Sequence, residues 1–181
     1  MMSWFQELWN NLINKGHFAA FGSTLTLGTP IATTSGTSHD FTGIPAGARR
    51  ITVALAEVST DGVSGTGGLC VQLGSAGGIE NTDYTSTLET QAGTVISTTT
   101  AFRIGANAGA AEIASGLVEL VLLDPATNTW VQTGSIKSST TLFRTSAGSK
   151  SLSGELTQIR LTTTGAGADT FDAGKVNILY E

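Results

Sequence analysis

Two histidines, one cysteine and fourteen carboxylates are the residues of this chain that could carry acid–base, nucleophilic or metal chemistry. His39 stands beside Asp40 in a serine-rich segment. Those are the residue types of a Ser-His-Asp triad, which needs a hydroxyl, an imidazole base and a carboxylate to orient it. No Gly-x-Ser-x-Gly elbow accompanies them, and the sequence places His39 as a polar residue at a strand edge. Neither His17 nor His39 has a second His or Cys at metal-ligand spacing. Asp61, Glu80, Asp83, Asp124, Asp169 and Asp172 fall mostly in turn sequences, where Asp bonds the nearby backbone. The paired carboxylates of glycoside hydrolysis have no positive support. The glycine-rich runs 65–68 and 74–78 lack a following Lys-Ser/Thr and a helix start, so they read as turns rather than phosphate loops. Cys70 lies in the apolar run Leu69-Cys70-Val71 and reads as a small buried hydrophobe. A single cysteine allows no internal disulfide and fits a reducing compartment. The chain is expected to be neither an enzyme nor a metal or cofactor protein.

The elements that carry these residues are short and extended. Residues 50–58 alternate cleanly: Ile51, Val53 and Leu55 fall on one face, Thr52, Ala54 and Ala56 on the other, the period of a half-buried strand. A Pro45–Gly47 turn precedes this strand and an Asp61-Gly62 turn follows it. Similar runs recur at 31–41, 69–73, 95–104, 117–123, 130–134, 140–145, 156–164 and 175–181. Residues 117–134 read as a β-hairpin turning at 124–128. In 95–104 the inward residues are Val95, Phe102 and Ile104; in 156–164 they are Ile159 and Leu161. Residues 81–91 read as polar and irregular, and 147–150 as a turn. Nine to eleven strands without α/β alternation predict a mainly β chain. The expected fold is an antiparallel, jelly-roll-like β-sandwich with a short N-terminal amphipathic α-helix.

That helix is expected over residues 1–16. Ser3 and Gln6 form a capping box, and Gly16 suits the C-terminal cap. Phe5, Leu8, Trp9, Leu12 and Ile13 make one apolar stripe, with Trp4 at its edge. A lone helix of this length is marginal in water, so the stripe must be buried: on the chain's own sandwich, in a bundle with its copies, against a partner, or on a membrane surface. Its polar face has no basic band, which argues against the membrane. Residues 1–30 are thus expected to be an anchor and linker, and 31–181 a β-sandwich knob.

Composition agrees. Hydrophobic residues are 40% of the chain and charged residues only 13%, and the net charge is -5. An acidic chain with scattered basic residues is a poor nucleic-acid binder. No run reaches the roughly 20 apolar residues of a membrane span, and the N-terminus lacks the pattern of a signal peptide.

Several segments, taken in order, resemble a family. They are Thr34-Ser35-Gly36-Thr37-Ser38-His39-Asp40-Phe41-Thr42-Gly43-Ile44-Pro45 with Arg50-Ile51-Thr52-Val53; Gln72-Leu73-Gly74 with Gly77-Gly78-Ile79-Glu80; Asn128-Thr129-Trp130-Val131; and the ending Asp169-Thr170-Phe171-Asp172-Ala173-Gly174-Lys175-Val176-Asn177-Ile178-Leu179-Tyr180-Glu181. Over residues 31–181 the chain resembles the C-terminal β-sandwich domain of tailed-bacteriophage tail fibre and tail tip proteins. The resemblance implies a virion structural protein, made in the cytoplasm of a bacterial host. It also implies a homotrimer and contact with host cell-surface polysaccharide. Such tips usually follow a long shaft, whereas here residues 1–30 alone precede the module. That implies a short appendage anchored through Trp4, Phe5, Leu8, Trp9, Leu12 and Ile13 to another tail or capsid protein. A capsid decoration protein on the phage head would share this plan. Sugar sites use aromatic rings beside amide or carboxylate groups, so the glycan-binding candidates are Tyr84 with Asn81 and Asp83, and Trp130 with Asn128.

Overall fold

The computed structural model describes residues 25–62, 68–105, 112–139, 141–164 and 169–181. The helix expected over 1–16, with all six anchor residues, lies outside them. Fourteen strands occur among the described residues. The first seven are β1 (Thr26–Leu27), β2 (Ile31–Ala32), β3 (Ser38–Thr42), β4 (Arg50–Thr60), β5 (Leu69–Ser75), β6 (Gly78–Ile79) and β7 (Thr85–Thr90). The rest are β8 (Val95–Thr98), β9 (Phe102–Arg103), β10 (Ala114–Asp124), β11 (Thr129–Lys137), β12 (Phe143–Ser151), β13 (Gln158–Thr163) and β14 (Phe171–Tyr180).

They form two antiparallel sheets packed as a β-sandwich. The larger, nine-stranded sheet runs β1-β14-β4-β10-β11-β12-β7-β8, with β2 also on β14. The smaller, five-stranded sheet runs β3-β13-β5-β6, with β9 also on β5. β1, within the segment read as linker, is hydrogen-bonded to β14 through the Thr26–Tyr180 and Leu27–Leu179 pairs.

Alternation decides which side chains meet between the sheets. Ile51, Val53 and Leu55 of β4, Val118 and Leu120 of β10, and Val176 and Ile178 of β14 enter the core from the larger sheet. Val71 and Leu73 of β5, with Ile159 and Leu161 of β13, enter it from the smaller one. At roughly 25 cal/mol per Å² of apolar surface removed from water, this shared core is the main stabilising term. The β10–β11 hairpin forms as expected, turning over Asp124–Asn128. Asp124 accepts bonds from the Ala126 N–H (2.9 Å) and the Thr127 hydroxyl (2.8 Å), and Asn128 takes the left-handed conformation that Asn tolerates (φ 50°).

Three local expectations are corrected. Residues 147–150 are no turn; they lie inside β12. Gly148 is there for close packing, since a Cβ would meet the Thr85 carbonyl and the Phe102 ring. Residues 85–90 are strand β7, with Ser86 and Leu88 turned inward. Threonines there read as loop, although Thr suits a pleated surface. Val95 faces outward and is 62% exposed, because its partner Glu89 lies on the solvent side of the larger sheet.

Candidate functional site

Strand β12 joins the two clusters that the sequence offered separately. Trp130 and Lys150 are register partners, and the Lys150 ammonium stands 5.5 Å from the centre of the Tyr84 ring. Lys150 is only 4% exposed, and its Nζ lies 2.8 Å from Oε2 of Glu80. Oε1 of Glu80 accepts bonds from the Ser153 N–H (2.9 Å) and the Ser153 hydroxyl (2.7 Å). Partial burial pushes the Glu80 carboxyl up, but the bonds from Lys150 and Ser153 outweigh it and hold the group below its ordinary range. This cluster ties the β5–β6 hairpin to the end of β12.

Tyr84 and Trp130 are core residues, 1% and 2% exposed. The Tyr84 hydroxyl accepts from the Leu73 N–H (2.7 Å) and donates to the Glu80 carbonyl (3.0 Å). Its ring meets Phe102 edge-on at 4.9 Å. Burial therefore drives its pKa well above the ordinary phenol value. Neither ring presents a face on which a sugar could stack. Asn81 and Asp83 are exposed, with Asp83 in a left-handed turn position (φ 59°) before β7. Asn128 is half-buried, and its carbonyl accepts from the Leu152 N–H (3.1 Å).

Beside this cluster three connections border an open cleft of about 410 Å³. They are the β3–β4 turn, the β10–β11 turn and the segment between β12 and β13. Leu122, Trp130 and Leu156 make its apolar floor; Arg49, Asn128 and Glu155 bring polar groups to it. The Arg49 backbone is clamped on both sides, its N–H donating to the Glu181 carbonyl (2.6 Å) and its carbonyl accepting from the Leu122 N–H (2.8 Å). Its guanidinium has no ion-pair partner among the described residues. Glu155 accepts the Gly47 N–H at 2.6 Å, which fixes the turn against the opposite wall. An apolar floor with a few convergent polar groups suits a polar ligand whose hydroxyls can bond to them.

Sequence reasoning reached Asn128 and Trp130 of this cleft but missed Arg49 and Glu155. Arg49 was visible only as half of an Arg-Arg pair, and Glu155 as a lone carboxylate between Leu152 and Leu156. Lys150 carried a signal that was misread. Arg144, Ser146, Gly148 and Lys150 repeat every second residue along the inward side of β12.

The His39–Asp40 pair does not form triad geometry. Both oxygens of Asp40 are held by Arg160, at 2.7 and 2.8 Å. The His39 ring packs on Phe171 with centroids 4.8 Å apart. Burial holds its pKa below the ordinary imidazole value, against the pull of Asp40. Among the described residues no group of three or more His, Cys, Asp or Glu is placed to hold a metal ion. A small enclosed cavity beside Thr60, Glu112 and Ser138 has room for about one water. Thr60 Oγ1 and Glu112 Oε2 are buried beside it with no hydrogen-bond partner among the described residues. No protein-family model, curated protein or solved structure matches the chain.

Proposed function

We propose that this chain is a virion structural protein of a tailed bacteriophage: a short tail fibre or tip appendage, homotrimeric, anchored by its N-terminal stripe and binding host surface glycan through the cleft of Arg49, Asn128, Trp130 and Glu155. The role is binding and assembly, without catalysis. The observation that carries the reading is strand order. β2, β14, β4 and β10 are consecutive in the larger sheet, and β3, β13, β5 and β9 in the smaller one. Taken in chain order, these eight strands change sheet at every step except from β5 to β9, which are neighbours in the smaller sheet. That is the order of a jelly roll of two Greek keys, an architecture used by viral capsid and lectin domains. On this reading the hairpins β11–β12 and β7–β8 are additions that widen the first sheet beyond β10. Fold alone does not give function, and the cleft supplies the local chemistry. Its floor is apolar, and its amide, carboxylate and guanidinium groups match the hydroxyls of a saccharide.

A second reading is a capsid decoration protein without a receptor role. It is favoured by the burial of both candidate rings, Tyr84 and Trp130, which leaves the cleft without a stacking face. Immunogold labelling of virions separates the two. Label on the tail supports the appendage, and label spread over the head supports decoration. Binding of the purified full chain to host polysaccharide tests the glycan role. Absence of binding, together with head labelling, would sink the first reading.

A further inference from the structure

We propose that the outer face of the nine-stranded sheet is where copies of this chain meet, with Lys175 of one protomer opposite Glu89 of the next. The proposal deepens the homotrimer reading and rests on it.

The face is shaped for contact. Leu117, Val121 and Leu123 point outward from β10 and are 57%, 39% and 65% exposed. Leu117 lies between Ala54 and Ser135, and Val121 between Val131 and Arg50, with Glu119 between the two on the same face. One strand further out, Ser135 meets Thr145 and Thr133 meets Ala147. The apolar side chains run along β10, interrupted by the Arg50–Glu119 ion pair, with hydroxyls to either side. Hydroxyls are far less costly to bury than charges, the Arg50–Glu119 charges already neutralise each other, and large exposed apolar side chains gathered on one face favour contact.

Charge favours another copy of this chain as the occupant. The whole chain carries -5, so most surfaces of one copy repel most surfaces of another. This face is different. In its regular outward register the charged side chains are Arg50, Lys137 and Lys175 against Glu89, Glu119 and Glu181. Arg50 is already neutralised by Glu119 and by Glu181. Lys175, on β14, and Glu89, on β7, sit on opposite flanks of the apolar strip. Neither has an ion-pair partner among the described residues. Five strand spacings separate them, about 24 Å at 4.8 Å each, so they cannot pair within one chain. A neighbouring copy can bring its Glu89 flank to the Lys175 flank of the first. Around a three-fold axis the same match joins the β14 flank of one copy to the β7 flank of the next, with the β10 strip turned to the axis.

Light scattering on the full chain after size exclusion tests this. The wild type should run at three times the 18.5 kDa chain mass. The variant carrying Leu117→Glu and Leu123→Glu changes only exposed positions; it should keep its β-sheet circular dichroism and run as a monomer. Lys175→Glu and Glu89→Lys should each raise the dissociation constant about fivefold, and the two together should return it near the wild-type value. A wild type of trimer mass whose Leu117/Leu123 variant stays trimeric overturns the face and leaves the homotrimer standing. A double charge reversal no better than either single change overturns the Lys175–Glu89 match. A wild type of single-chain mass overturns both readings, as it would if the chain's own N-terminal residues covered the face.

Discussion

Lys150 of β12 holds its ammonium 2.8 Å from a carboxylate oxygen of Glu80, 70 positions away in the chain, with the lysine side chain 4% and the glutamate side chain 19% exposed. The pair joins a hairpin of the smaller sheet to a central strand of the larger one. It also fixes the connection between β12 and β13 through Ser153, and that connection supplies Glu155 and Leu156 to the cleft.

Losing the Glu80 carboxylate should therefore cost more than losing the Lys150 ammonium, because the ammonium is the more deeply buried of the two. Glu80→Gln leaves the Lys150 ammonium buried without its counter-charge, a loss of about 3 kcal/mol. Lys150→Met replaces the ammonium with an apolar chain of similar length, while Glu80 keeps both bonds from Ser153. Its cost should be nearer 1 kcal/mol. Urea unfolding midpoints of the two variants, compared at equal slope, check the order.

Acid should weaken the same contact. The Glu80 carboxyl lies below its ordinary value of 4.5 in the folded chain. A depressed carboxylate contributes its full stability above the unfolded value and loses it as pH falls through the folded one. The stability gap between wild type and Glu80→Gln should thus stay constant above about pH 5 and shrink steadily toward pH 3. A gap that widens on acidification would contradict the assignment.

Tyr84 and Arg49 should separate stability from binding. Tyr84→Phe strands the buried Leu73 N–H and the Glu80 carbonyl that share the hydroxyl. It should cost about 1–3 kcal/mol and leave any glycan affinity intact. Arg49→Ala changes an exposed side chain with no ion-pair partner among the described residues, so it should leave the melting temperature within a degree or two while weakening polysaccharide binding. Thermal melts beside a binding titration read both.

Cys70 is fully buried, and burial pushes its thiol up to about 12, against a smaller pull from Arg103. Only the thiolate reacts. Iodoacetamide at about pH 8 should leave the native chain unmodified and label it once in denaturant, as intact mass would show.

Gly148→Ala tests whether the glycine inside β12 is a packing residue. Its added Cβ would meet the Thr85 carbonyl of the neighbouring strand and the ring of Phe102. Overpacking of this kind costs about 1–3 kcal/mol. An unchanged or raised denaturation midpoint would mean that the strands can separate to admit it.

Much of the sandwich was legible because its signals are local. The alternation of Ile51, Val53 and Leu55 follows from a two-residue repeat and is visible without knowing what packs above it. The same holds for Ile159 with Leu161, and for Val176 with Ile178. The Asp124–Asn128 turn is equally local, since Asp124 bonds only to its near neighbours. Where local chemistry and packing disagreed, the sequence misled. Ala147-Gly148-Ser149-Lys150 has the composition of a turn, and only the Phe102 ring across the sheet explains a glycine in mid-strand.

The sequence by itself therefore determined a charge-poor antiparallel β protein with its core positions in alternating register. Tertiary structure alone decided three further things. It chose which strands are neighbours, and so placed β12 between β7 and β11. It turned Tyr84, just before β7, and Trp130 of β11 into the core, because pattern alone cannot say which ring the packed sheets will cover. It also set Arg49, Asn128 and Glu155 around one cleft from three separate turns. Contacts across such distances depend on strand order, and strand order is fixed by the free energy of the whole packed core rather than by any one segment.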